Sequence, residues 1–292
     1  MRTCVASAIC MLLASGALAD PPGEISRWKG DGNALDSVGP NNGTLNNVTF
    51  FSEAQGQSFS FGPTAGSVSF PNPAAGGLAL TSGVTITAWV RQTSESLGGS
   101  IFNVRPATNV AGYAFEQDGL APATALQMGV NVLGGSGVDS FYLLRTPLGA
   151  IPVGELRFVA ATYDQATARI AIYVGGELVA EQVFDTPRPI LTSPSSIAAI
   201  GRNNVVPEFF WRGQIDDVRV FGRALNGCEI REAGGLPPCD ADRDCDGRVD
   251  LTDFFAFFNC WDLSSPCADV DGSTEVDLGD FFAFFNAFDV GC

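Results

Sequence analysis

The hexapeptide Phe254-Phe255-Ala256-Phe257-Phe258-Asn259 returns unchanged 27 residues later as Phe281-Phe282-Ala283-Phe284-Phe285-Asn286. Such an internal duplication limits the C-terminal end to two copies of one small unit. An acidic run precedes each copy. The first is Asp242-x-Asp244-x-Asp246-Gly247-x-Val249-Asp250-x-x-Asp253. Oxygen donors at the first, third and fifth places can wrap one side of a cation, Arg248 can add its backbone carbonyl, and Asp250 and Asp253 can close the sphere. Gly247 permits the sharp turn, and carboxylates this crowded repel one another without a cation. The pattern predicts a calcium loop. The second run places Asp269, Asp271, Ser273, Glu275, Asp277 and Asp280 at the same positions, with Thr274 where the first has glycine. Losing one charged ligand and the turn glycine predicts weaker binding there. After each loop the phenylalanines fall at helical spacing, predicting two short helices whose aromatic faces either pack together as core or present a partner surface.

Charge and cysteine divide the chain in the same place. Residues 239–292 carry 13 acidic and 2 basic side chains, whereas 20–238 carry 19 and 13. The Gly/Pro stretch 234–238 separates them as a linker. Residues 1–19 read as a secretory signal: Arg2, then an apolar run from Val5 to Leu13, then Ala17-Leu18-Ala19 before Asp20. No later stretch is apolar enough to span a membrane. With Cys4 and Cys10 removed, six cysteines remain: Cys228, Cys239, Cys245, Cys260, Cys267 and Cys292. An exported chain with this set is expected to form up to three disulfides, in any of about fifteen pairings. The formal net charge of −16 argues against nucleic acid and anionic membrane as partners. The chain has no histidine, which excludes Ser-His-Asp and Cys-His nucleophile systems and imidazole zinc sites.

The segment 20–233 is punctuated by Gly, Asn, Ser and Thr between short runs of β-branched and aromatic residues. Ile86, Ala88 and Val90 share one face of a strand, as do Ile170, Ile172 and Val174, and Gly175-Gly176 reads as a two-residue hairpin turn. About a dozen such strands suit two packed antiparallel sheets, a sandwich or jelly roll. In order along the chain stand Trp28-x-Gly30-Asp31-Gly32-Asn33, Asn42-Gly43-Thr44, Ile86-Thr87-Ala88-Trp89-Val90, Phe158 to Asp164, Ile172 to Glu177, and Gly213-Gln214-Ile215-Asp216-Asp217-Val218-Arg219-Val220-Phe221. This ordered set resembles the laminin-G-like, concanavalin A-like sandwiches. The resemblance implies a mainly β jelly-roll module that binds glycans or proteins, often with a structural calcium, and that accompanies secreted enzymes. Asp216 or Asp217, with Asp36 and the Asn41–Asn42 loop, are the candidates either to hold such a calcium or to hydrogen-bond a turn. The loop-helix duplication of 239–292 resembles a type I dockerin, and the Gly291-Cys292 ending resembles dockerin-like anchoring tails. That resemblance implies a cohesin-like or surface-anchoring partner.

Glycan recognition needs aromatic planes beside amide or acidic groups. Tyr113, Tyr142 and the run Phe209-Phe210-Trp211 beside Asn203 are the candidates, while Trp28 and Trp89 are expected in the core. Glycoside hydrolysis needs two carboxylates flanking the scissile bond, commonly Glu-x-Asp-x-x-Glu in this architecture. Glu116-Gln117-Asp118 comes nearest and lacks the second glutamate. Adjacent Asp216 and Asp217 are expected on opposite strand faces. The expectation is an exported, non-catalytic protein: a calcium-associated sandwich binding extracellular carbohydrate, tethered by a calcium-dependent, disulfide-stapled tail. The alternatives are a surface adhesion protein binding matrix protein, or an accessory or divergent polysaccharide-degrading enzyme.

Overall fold

The computed structural model describes residues 20–292 apart from 54–55, 71, 95–97, 109, 120–123, 135–139 and 207. The signal expected at residues 1–19 lies outside the described residues. Period-two alternation becomes strands throughout the first segment: β1 (Glu24–Trp28), β2 (Thr44–Asn46), β3 (Val48–Glu53), β4 (Gly56–Phe61), β5 (Ser67–Phe70), β6 (Gly83–Gln92), β7 (Ser100–Arg105), β8 (Tyr113–Gln117), β9 (Leu126–Asn131), β10 (Phe141–Arg145), β11 (Arg157–Asp164), β12 (Arg169–Val174), β13 (Glu177–Val183), β14 (Ile197–Ile200) and β15 (Gly213–Phe221). They form two antiparallel sheets. One runs β13-β12-β11-β6-β15-β4-β3, with β1 also on β15, and the other runs β10-β9-β8-β7-β14-β5-β2.

The core lies between the sheets because alternate residues of each strand turn inward. Val84, Ile86, Ala88 and Val90 of β6 meet Phe102, Phe115, Met128 and Val130 of the opposite sheet. Each of these side chains other than Ala88 contributes about 1.5–3 kcal/mol by leaving water. Trp28 is fully buried, 4.5 Å from Phe70 and 5.4 Å from Phe102 between ring centroids, with its Nε1 donating to Asn41 O at 2.7 Å. The β12–β13 turn places Gly175 and Gly176 at φ 65° and 86°, the double left-handed conformation that favours glycine at both sites.

A second, smaller core covers the outer face of the eight-stranded sheet. Helix α1 (Gly227–Ala233) starts at a capping box made by Asn226 and Glu229 and lays Ile230 and Ala233 on Phe158, Tyr173 and Phe221. The tail follows as α2 (Leu251–Asp262), a 3₁₀ turn at Pro266–Ala268 and α3 (Leu278–Val290). Asp250 and Asp277 cap the two helices, and Asp253 and Asp280 complete the boxes. The aromatic repeat divides its labour. Phe257 and Phe284 stack at 4.1 Å as the fully buried centre, whereas Phe255 and Phe282 are each 61% exposed.

All six cysteines pair, as Cys228–Cys245, Cys239–Cys292 and Cys260–Cys267. The first bond fastens the first acidic loop to α1. Leu178 N donates to Gly247 O at 2.9 Å, Gly227 N to Cys245 O at 2.7 Å, and Arg248 pairs with Glu181 at 2.7 Å. The first loop is thereby held against the β12–β13 hairpin.

The two acidic loops share one backbone shape. Cys245 and Gly247 take φ 60° and 90°, and Gly272 and Thr274 take 73° and 75° at the matching places. The second copy carries its glycine two residues earlier in the loop and leaves a β-branched threonine in the left-handed region. Thr274→Gly is expected to raise tail stability by about 1 kcal/mol, read as a higher thermal midpoint of the full chain's helical signal.

Candidate functional site

On the outer face of the seven-stranded sheet, polar residues alternate with the core-facing ones. Arg105 of β7, Glu116 of β8, Gln127 of β9, and Phe141 and Arg145 of β10 line one groove of about 220 Å³, and the loop between β14 and β15 folds Asn203 and Phe209 over it. Glu116 is 4% exposed. Its Oε2 accepts from Ser100 Oγ at 3.0 Å and Asn203 Nδ2 at 2.8 Å, and its Oε1 from Gln127 Nε2 at 2.9 Å and Arg105 Nη1 at 3.4 Å. The Arg105 guanidinium lies 5.9 Å from the Phe141 ring. Gly129 makes room for both, since a Cβ there would sit 2.7 Å from Phe141 Cζ and 2.8 Å from Arg105 Nη2. Arg105 Nε and Nη2 are buried and have no hydrogen-bond partner among the described residues. Arg145 pairs with Asp118 at 3.2 Å and also donates to Gln127 Oε1. Gln117 points the other way, its Nε2 donating to Gln92 Oε1 at 2.7 Å.

Of the nominated aromatic group, the structure brings only Phe209 into this groove, together with Asn203. Phe210 lies half-buried with the Arg212 guanidinium 5.3 Å from its ring. Three expectations are corrected by burial. Trp211 is wholly inside the inter-sheet core. Tyr113 is 1% exposed, its hydroxyl donates to Leu78 O at 2.9 Å, and burial pushes its pKa far above the ordinary tyrosine range. Tyr142 stacks on Phe184 at 4.1 Å, and its hydroxyl donates to Thr186 O. Arg105, Glu116, Gln127, Phe141 and Arg145 were missed as a site. Each is the outward residue of a strand, and their meeting depends on strand order and register.

The residues nominated for a sandwich cation, Asp216 apart, hydrogen-bond a turn or pair with arginines. Asp36 Oδ1 accepts from the backbone N–H groups of Arg27, Val38 and Gly39, and Oδ2 from that of Asn41 at 3.1 Å. Burial opposes ionisation of Asp36, but these N–H bonds prevail and hold its pKa below the ordinary value. Asn41 Nδ2 donates to Ser26 and Gly76, and Asn42 Oδ1 accepts from Asp36 N. Asp217 is bound by Arg27 at 2.6 Å and Arg219 at 3.0 Å. Asp36, Asn41 and Asn42 thus organise a turn, and Asp217 an ion-pair cluster.

The strand-face expectation is corrected too. A bulge at Asp216, with Asp217 at φ 45°, inserts an extra residue between the core-facing Ile215 and Val218, so neither carboxylate enters the core. Burial, then the nearby Asp217, Asp31 and Glu53 carboxylates, push Asp216 up to about 7. Since this lies above the ordinary 3.8, the fold disfavours the ionised form, and stability falls as pH rises from about 4 through 7. Asp216→Asn is expected to raise the thermal midpoint by a few degrees at pH 8 and to leave it unchanged near pH 4, measured by paired thermal scans. Trp89 is also corrected: it leaves the inter-sheet core and packs half-buried on the outer face beside Phe158, at 5.5 Å.

In the tail, oxygens of Asp242, Asp244 and Asp253 come within 4.8 Å of one another, as do those of Asp269, Asp271 and Asp280. These are loop positions one, three and twelve. Burial, then the neighbouring carboxylates, push Asp242 up to about 6. Asp253 accepts from the backbone N–H groups of Arg243, Asp244 and Asp250, which holds the loop around the trio. Asp269 Oδ1 is buried without a partner among the described residues. Both donor sets are all-oxygen and fit a hard divalent cation. Asp246 Oδ1 accepts from Arg248 N, Ser273 Oγ donates to Glu275 O, and Asp250 and Asp277 accept from the first turns of their helices. Those nominated groups shape the loops.

A family model described as the concanavalin A-like lectin/glucanases superfamily matches residues 61–231, more than half of the chain. No curated protein matches the sequence. Among solved structures, domain 4 of an extracellular arabinanase from Geobacillus stearothermophilus, in complex with arabinotriose, aligns with a TM-score of 0.56 at 17% identity, covering 72% of this chain and 97% of that one. The botulinum neurotoxin serotype C1 binding domain aligns with a TM-score of 0.50 at 16% identity, covering 74% of this chain and 52% of that one. At such identities the likeness is one of fold.

Proposed function

Because the chain belongs to the concanavalin A-like lectin/glucanase superfamily, we propose that its sandwich binds extracellular carbohydrate in the Glu116 groove, without catalysis, while the tail anchors the protein through calcium-stabilised loops. The observation that carries this is Arg105. Its Nε and Nη2 are buried without partners beside Phe141 and Phe209, and unspent buried donors are costly unless a ligand takes them. Sugar hydroxyls accept such bonds, and an aromatic ring beside them can pack on a pyranose or furanose face. Arg105 and Arg145 are balanced by Glu116 and Asp118, so the groove suits a neutral ligand. With both carboxylates in arginine ion pairs, neither is poised as a general acid or nucleophile.

Calcium is favoured by the trios of carboxylate oxygens and by the elevated pKa of Asp242, which a cation would relieve. Anchoring is favoured by equivalent exposed pairs on the two repeats, Leu251 with Phe255 and Leu278 with Phe282, each more than 60% exposed. Such apolar exposure on a small module suits a protein partner. Export is favoured by the three disulfides, and among the described residues no helix is long and apolar enough to cross a membrane.

The test is binding of the mature full chain to neutral polysaccharides and matrix proteins, in calcium and in chelator, with arabinotriose among the probes. Gln127→Ala, which removes a groove amide, is expected to weaken glycan affinity about tenfold, or ~1.4 kcal/mol. Chelation should abolish surface tethering and spare glycan binding. Unchanged affinity in Gln127→Ala and Phe209→Ala would remove the groove from consideration. Capture of matrix protein with no glycan bound would establish the adhesion reading instead.

A further inference from the structure

We propose that the outer face of the eight-stranded sheet carries a second ligand site, lined by Trp89, Ser58, Gln214 and Asp216, which takes a protonated amine on a hydroxylated ring, as in an amino sugar. These residues line a groove of about 450 Å³ together with Glu53 and Leu156. It lies across the sandwich from the Glu116 groove and shares no residue with it. Trp89 and Asp216 are direct partners across β6 and β15, which sets the carboxylate beside the indole.

Of the two acids that line this groove, Glu53 is paired and Asp216 is not. Its Oδ1 accepts from Asp217 N at 2.9 Å, and no Lys or Arg of the described residues pairs with it. Of the neighbouring acids, Asp217 is neutralised by Arg27 and Arg219 and Glu53 by Arg91 at 3.1 Å, while Asp31, whose Oδ1 accepts from Gln57 N at 2.8 Å, adds negative potential beside the groove. Ser58 is 1% exposed, and its Oγ has no partner. It alternates with core-facing Phe59 on β4, so it points into the groove. The hydroxyl, amide and unpaired carboxylate that line the groove are too few oxygens for calcium, which takes six to eight. They match an ammonium, whose three N–H groups need one carboxylate and neutral acceptors. The half-buried indole adds a face for the ring or the cation. The raised pKa of Asp216 is that of a carboxylate lacking the cation that would offset its burial.

The experiment titrates the full chain at physiological salt with a glucosamine trimer, its fully N-acetylated counterpart and a lysine trimer, following Trp fluorescence and calorimetry. Glucosamine binding that is lost on N-acetylation and weakened at least tenfold by Asp216→Asn is expected. Asn at this position still accepts from Asp217 N, so the fold should hold, and Ser58→Ala provides a second variant if it does not. Asp289→Asn, at an exposed tail position, should leave binding unchanged and so exclude a bulk charge effect. Gln127→Ala should also leave it unchanged, which separates this site from the Glu116 groove. Equal binding of both trimers, or full affinity in Asp216→Asn and Ser58→Ala, would overturn the proposal. A lysine trimer bound in place of glucosamine would overturn the sugar assignment in favour of a basic peptide.

Discussion

Trp211→Ala is expected to destabilise the sandwich by about 3–5 kcal/mol, because it removes a fully buried indole and leaves a cavity in the inter-sheet core. The residue sits where the groove loop re-enters the fold. Trp211 N donates to Gly201 O at 2.6 Å, and a Cβ at Gly99 would lie 2.5 Å from Trp211 N, so backbone packs directly against it. Loss of the anchor should release the loop that carries Asn203 and Phe209. Binding would then fall together with the thermal midpoint. Chemical denaturation beside glycan titration separates the possibilities: lost binding with unchanged stability would mean that Trp211 faces a ligand after all.

Glu116→Ala should have an effect of similar size, about 3–5 kcal/mol, for an electrostatic reason. Arg105 and Glu116 are a buried pair whose side chains are only 4% and 5% exposed. Removing the carboxylate leaves the guanidinium buried without its countercharge and takes the acceptor from Ser100, Gln127 and Asn203 at once. Glu116→Gln keeps the size and an acceptor but not the charge, and should fall between alanine and the native protein. The midpoint and the glycan affinity should decline in that order. If Glu116→Ala unfolded at the native denaturant midpoint, the pair would not organise the groove.

The convergence of the tail's carboxylates was legible in the chain because it is local. Positions one, three and twelve of an acidic loop converge whenever the loop closes onto a helix start, and the caps at Asp250 and Asp277 follow from residues two and three apart. The groove was not legible. Arg105, Glu116, Gln127 and Arg145 come from four strands, and a one-residue slip in any of them would turn its side chain into the core. Asp216 and Asp217 illustrate the same limit, since period two assigns them to opposite faces and a bulge cancels the assignment. Trp89 and Trp211 exchanged roles for a related reason. Hydrophobicity makes either acceptable as core, and only strand register and the path of one loop determine which is inside.

What the sequence determined by itself is the strand and helix periodicity, the Gly175-Gly176 hairpin, the duplicated acidic loops and the superfamily, all written in spacings shorter than one element or in their order along the chain. What the tertiary structure alone decided is which of fifteen disulfide pairings forms, which phenylalanines of an identical hexapeptide are buried, and which polar residues meet on each face of the sandwich. Those outcomes depend on contacts between residues far apart in the chain, where proximity is set by sheet order and packing, and no local pattern encodes it.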